Sequence, residues 1–173
     1  PEGRRLVFFP GSTIGNFEPA EARAVLAGFR RGMREGDAVL IGADRVKDEQ
    51  ILVDAYDDAK GVTAAFNLNL LKRIQGELGA RLQVNDFSHK SIWNRDLERI
   101  EMHLVAERET TIELDGQHYV FKPGESLHTE NSHKFTPESF ARLAKDAGYQ
   151  LVKHWSDPAE LFSLYWLEPK WEA

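Results

Sequence analysis

Two short, unbroken apolar runs constrain this chain most: Leu6-Val7-Phe8-Phe9 and Val39-Leu40-Ile41-Gly42-Ala43. An apolar run of four or five residues without alternation suits a strand buried on both faces, as in a parallel sheet. Between them, Ala22, Val25, Leu26, Phe29 and Met33 fall at helical spacing, which predicts an amphipathic helix from about Pro19 to Arg34. Gly36 stands where a helix C-cap glycine belongs. Two buried strands joined by such a helix make a βαβ unit. Pro1 to Arg5 reads as a loop leading into the first strand.

The pattern then changes. Ile51 to Tyr56 predicts a short helix, and Asp58 to Leu78 a longer one. In the longer one Val62, Phe66, Leu70, Ile74 and Leu78 recur every fourth residue, and Gly79 ends it. From about Arg99 the period becomes two, with Ile100, Met102 and Leu104 alternating with polar neighbours. Thr110–Leu114 and Gln117–Phe121 flank Asp115-Gly116, a strong hairpin signal. Thr136 followed by Pro137 marks another helix start, and Gly148 its stop. Leu151–Trp155 and Phe162–Leu167 predict two final strands. The simplest architecture is a discontinuous α/β half-sheet, residues 1–45 and 133–173, interrupted by an inserted α+β subdomain, residues 46–132.

Composition narrows the chemistry. Of 173 residues, none is cysteine, which removes disulfides, thiolate metal sites and cysteine nucleophiles together. The formal net charge of −6 disfavours a phosphate-backbone partner, so no nucleic acid is expected. No apolar run reaches membrane-span length and no secretory signal is visible, so no membrane partner is expected and a cytoplasmic location is the default. The six histidines show no metal-binding spacing: His128 and His133, with four residues between them, lack a His-Glu-x-x-His pattern.

Ligands of open α/β sheets gather beyond the C-terminal ends of the parallel strands. The loop leaving the first strand there carries Gly11, Gly15 and Asn16. Glycines admit close backbone approach, and an Asn amide both donates and accepts. A plain strand-to-helix turn would use the same residues. Asp57 or Asp58 fits a helix cap, and Tyr56 fits either a packed ring or a phenol aimed at a ligand. Glu130 and Ser132, two apart on an extended segment, would point the same way. They suit either a ligand or a polar linker where the insertion returns to the sheet.

Taken in order, several segments resemble the histidine-specific Nα-methyltransferase family of ergothioneine biosynthesis. They are Gly11–Asn16, Asp44-Arg45-Val46-Lys47-Asp48, Ala55–Ala59, Gly61–Asn67, Trp93-Asn94, Glu98–Met102 and Thr129–Phe135. The resemblance implies the C-terminal half of a class I methyltransferase sheet, Rossmann-like, with an inserted substrate-binding subdomain. It implies S-adenosylmethionine as cofactor and histidine as substrate, methylated on its α-amine. It places Asn16 and Tyr56 on the amino-acid backbone group, Glu130 and Ser132 on the imidazole, Met102 in the substrate pocket and Gly11 beside the cofactor.

No Gly-x-Gly-x-x-Gly occurs in these residues, and the first residue is Pro1 rather than Met. The family's main cofactor loop is therefore expected upstream, in a missing N-terminal half. Alone, the segment is expected to be inactive and to cover its Leu6–Phe9 edge by association. The readings that compete are an amino-acid-binding or interaction module without catalysis, and a related methyltransferase for another small amine.

Overall fold

The computed structural model describes residues 3–171; Pro1 and Glu2 of the expected leading loop lie outside the described residues. In chain order the elements are β1 (Leu6–Phe9), α1 (Pro19–Arg30), β2 (Ala38–Asp44), α2 (Glu49–Tyr56), α3 (Val62–Leu78), β3 (Phe87–Asn94), β4 (Arg99–Ala106), β5 (Thr110–Leu114), β6 (Gln117–Phe121), β7 (Ser126–His133), α4 (Pro137–Asp146), β8 (Tyr149–Ser156) and β9 (Phe162–Pro169). Short 3-10 turns occur at Thr13–Asn16 and Val84–Asp86. The chain forms two compact units. One holds the residues up to Lys47, Arg95–Arg99 and those from Asn131 onward; the other holds Asp48–Asn94 and Ile100–Glu130. Arg95–Arg99 belongs to the first unit although it lies between the two stretches of the second.

In the first unit the sheet runs β1-β2-β9-β8. β1 and β2 are parallel, with Leu6 opposite Ala38 and Phe9 opposite Ile41. β9 lies antiparallel between β2 and β8, so β8 runs in the direction of β1 and β2. β1 is the edge strand, and its Leu6 and Phe8 are exposed. Ile14, Leu26, Val39, Ile41, Phe140 and Tyr165 lie at the centre of the core. The rings of Phe140 and Tyr165 stack with centroids 3.9 Å apart. The buried Tyr149 hydroxyl donates to the Leu26 carbonyl at 3.0 Å, and burial pushes its pKa up to about 12.

α1 ends at Arg30, four residues before the expected Arg34. The reason is the buried Asp37 carboxylate, which accepts from the backbone N–H of Arg34 at 2.9 Å and of Arg5 at 2.8 Å. It also accepts from the Arg5 guanidinium at 2.7 Å. Those bonds, the backbone ones foremost, hold its carboxyl below the usual range. They fold the chain back into β2 instead of extending the helix. α4 starts as expected: Thr136 Oγ1 accepts from the Ser139 N–H at 3.1 Å, and Ser139 Oγ accepts from the Thr136 N–H at 2.9 Å.

In the second unit, Asp58 accepts from the N–H groups of Val62 at 3.0 Å and Thr63 at 2.8 Å, capping α3. Gly79 closes α3 in the left-handed region at φ +69°. The β5–β6 hairpin turns at Asp115 and Gly116, both at positive φ, as a two-residue hairpin demands. The three-stranded sheet has the order β3-β4-β7. Ile100, Met102, Leu104 and Ala106 of β4 are buried, and so is Glu101 between the first two.

The α3 stripe departs from expectation. Val62, Phe66 and Leu78 are 66%, 62% and 60% exposed, while Asn67 and Leu71 are buried. The rotation has a polar cause. Asn67 Nδ2 donates to His89 Nδ1 at 2.9 Å and to the His103 carbonyl at 3.1 Å. Those bonds turn the Asn67–Leu71 side of α3 toward β3 and β4.

Candidate functional site

In the first unit, the loop after β1 is shaped by Gly11 at φ +82°, which is exposed, with nothing within 4 Å of where a Cβ would stand. Ser12 Oγ accepts from the N–H of Asp44 at the end of β2, at 2.8 Å. The two strand ends are thereby tied together. A Cβ on Gly15 would meet the His133 carbonyl oxygen at 2.6 Å, so only glycine lets this turn lie against the end of β7. Asn16 closes the turn and is exposed.

Beside this loop lies a buried charge network. Lys134 Nζ, wholly buried, donates to Ser132 Oγ at 2.7 Å and pairs with Asp44 Oδ2 at 3.0 Å. Lys47 Nζ reaches the other oxygen of Asp44 at 2.5 Å. Ser132 Oγ thus accepts from a buried cation. Glu18 accepts from Arg99 Nη1 and from Asn131 Nδ2, each at 2.8 Å. A cavity of about 280 Å³ lies in this unit, lined by Phe17, Arg23, Leu97, His133, Phe135 and Leu143 among others. None of the residues expected from sequence to bind substrate lines it. Burial, against the partial opposition of Glu18, lowers the pKa of His133.

In the second unit, Tyr56 and Met102 come together. Tyr56 is half-buried at the end of α2 and packs with Trp93 against the cluster of Leu52, Ile100 and Met102. Its carbonyl contacts His89 Nε2 at 2.7 Å. Glu130 is half-buried on β7, and burial raises its carboxyl pKa. Glu130 and Ser132 have the two-residue spacing of one strand face, as read from the sequence. The sequence reading gave Lys134 no role beyond its place in the Thr129–Phe135 segment.

The family model described as "Histidine-specific methyltransferase, SAM-dependent" matches residues 1–169. The chain belongs to this family of S-adenosylmethionine-dependent, histidine-specific methyltransferases. It is 44% identical over 167 residues to the Histidine N-alpha-methyltransferase of Mycolicibacterium smegmatis, covering 94% of this chain and 51% of that protein. It is 26% identical over 174 residues to Ergothioneine biosynthesis protein 1 of Schizosaccharomyces pombe, covering 100% of this chain and 22% of that protein. The chain therefore spans about half the length of the bacterial relative it matches. Among solved structures, the CcbJ methyltransferase from Streptomyces caelestis superposes with a TM-score of 0.50 at 11% identity, covering 98% of this chain and 59% of that one. That likeness shows the fold alone, a Rossmann-like methyltransferase fold.

Proposed function

We propose that the protein containing this chain transfers methyl groups from S-adenosylmethionine to the α-amine of histidine. The family match over residues 1–169 carries this reading. When bound, S-adenosylmethionine would supply an electrophilic sulfonium methyl group to the amine. The open loop at Gly11 fits close approach of such a group, and further cofactor contacts belong to the rest of the polypeptide. No described helix is long and apolar enough to cross a membrane; a cytoplasmic setting is part of the proposal.

The roles proposed for this chain are those of orientation. Asn16 and Tyr56 hold the amino-acid backbone group, so that the deprotonated amine faces the methyl carbon. Met102 lines the pocket. Glu130 accepts from one imidazole N–H, and the Ser132 hydroxyl donates to the other nitrogen. A substrate without those nitrogens would leave the half-buried Glu130 without that partner, which is a basis for rejection. The exposed edge of β1 is read as covered by another strand, from the rest of the polypeptide or from a second copy.

Incubation of the full-length protein with histidine and S-adenosylmethionine, read by mass spectrometry, should yield N,N,N-trimethylhistidine. Methylation of a different amine in preference to histidine would overturn the substrate. Glu130→Ala should raise the histidine KM roughly tenfold to a hundredfold, equivalent to about 1.5–3 kcal/mol. Tryptophan and phenylalanine should then compete better; an unchanged preference for histidine would remove the role of Glu130. Residues 1–173 alone should give no binding heat with S-adenosylmethionine, and micromolar binding would place the cofactor site within them.

A further inference from the structure

The second unit gathers three side chains that no role above uses. Glu101 and His103, two apart on β4, point to one face of the sheet, and His128 joins them from the neighbouring β7. One ligand atom from each lies within 4.8 Å of the others. The imidazole rings of His103 and His128 stack with centroids 4.7 Å apart and planes at 17°. His103 Nε2 stands 3.4 Å from Glu101 Oε2. That is long for a charged hydrogen bond. It is also the separation of two donors held at about 2.0–2.1 Å by one tetrahedral ion, roughly 3.4 Å.

The surrounding contacts orient each ligand. Asn94 Nδ2 donates to the other oxygen of Glu101 at 3.0 Å. His103 Nδ1 meets Ser126 Oγ at 3.2 Å. His128 Nε2 meets the Glu130 carbonyl at 3.2 Å, where it can only donate, which leaves Nδ1 as its ligand atom. These are the outer-shell partners that fix tautomer and ring direction at metal centres. They come from β3 and β7, on either side of β4. Glu101 is buried and His128 exposed, so the cluster has a dry floor and a path from solvent.

We propose that Glu101, His103 and His128 form a binding site for a divalent transition-metal ion of the zinc class. Two imidazoles and one carboxylate suit zinc and its neighbours, whereas calcium and magnesium take mostly oxygen ligands. Three protein ligands leave at least one position for water or a small donor.

Calorimetric titration of the full-length protein with Zn2+, in a non-chelating buffer, should show one equivalent bound with micromolar or tighter affinity. His128→Gln, at the exposed ligand, should weaken binding at least tenfold, as should Ser126→Ala, which acts through His103. His118→Gln, on the exposed part of β6, should change nothing. In the unsubstituted protein, Zn2+ should shift the ring signals of His103 and His128 together in NMR spectra, and Co2+ should give visible absorption of four-coordinate intensity. Binding no tighter than millimolar, or a single equivalent whose affinity survives His128→Gln, would overturn the site and leave the trio a hydrogen-bonded network. Neither readout involves methyl transfer, so failure here leaves the proposed reaction standing.

Discussion

The two units bury apolar surface in different ways. In the first, twelve buried apolar residues from both ends of the chain form one cluster around β2, β9, α1 and α4. In the second, the buried apolar residues divide into one cluster of seven and one of three, while α3 turns most of its apolar stripe outward. The first unit also locks charge inside its frame, at Asp37 with Arg5 and at Asp44 with Lys134. The second positions its helices with caps and with Asn67. The contrast teaches that an apolar repeat on a helix does not fix which face is buried. The polar groups that must be satisfied against the neighbouring sheet choose the face.

The largest expected effect tests the locked charge of the first unit. Asp44→Ala would remove the carboxylate paired with the buried Lys134 ammonium, and breaking such a pair costs about 3–5 kcal/mol. Urea unfolding should show that loss; a cost below about 1 kcal/mol would mean that the network is incidental. Gly15→Ala should cost about 1–3 kcal/mol, because the added methyl meets a backbone oxygen that cannot move aside. An unchanged melting temperature would break the claim of close approach. Tyr149→Phe should cost about 1 kcal/mol by removing the hydroxyl bonded to the Leu26 carbonyl.

In the second unit the expected signals are smaller. The Asp58 carboxyl is held down at about 2, first by the Thr63 N–H and then by the Val62 N–H. A depressed folded pKa stabilises above the unfolded value of 3.8 and loses that stability as pH falls toward about 2. Hydrogen exchange at Val62 and Thr63 should quicken over that window, and Asp58→Asn should flatten the response. The smallest effect belongs to the exposed stripe. Phe66→Ser should change stability by no more than about 0.5 kcal/mol. A cost above about 2 kcal/mol would show this face to be covered and would erase the contrast between the units.

Legibility followed the same division. The apolar runs at Leu6 and Val39, the Asp115-Gly116 turn and the Thr136 cap announced their elements, because each is a local signal that local geometry honours. β3 and β7 gave no such signal. Segments such as Ser88-His89-Lys90-Ser91 and His128-Thr129-Glu130-Asn131 lack apolar alternation and become strands through their neighbours. The candidate substrate residues were readable only through their resemblance to a family, since Asn16, Tyr56 and Glu130 each have an ordinary structural use. The metal cluster was invisible along the chain. His103 and His128 meet through strand pairing, which no spacing rule encodes.

The place of β9 in its sheet has a consequence for synthesis. Val39 of β2 pairs with Leu167 of β9, and β8 reaches the sheet only through β9. On the ribosome, β1, β2 and the intervening helix must wait through most of the chain before their central partner emerges. Local pieces such as the β5–β6 hairpin can close at once, but joining β2 to β9 closes a loop of more than a hundred residues, an entropic cost that grows only slowly with length. Until then β2 presents an unpaired apolar edge on one side. A pause in translation before Phe162 should therefore lengthen the interval in which the nascent chain needs a chaperone.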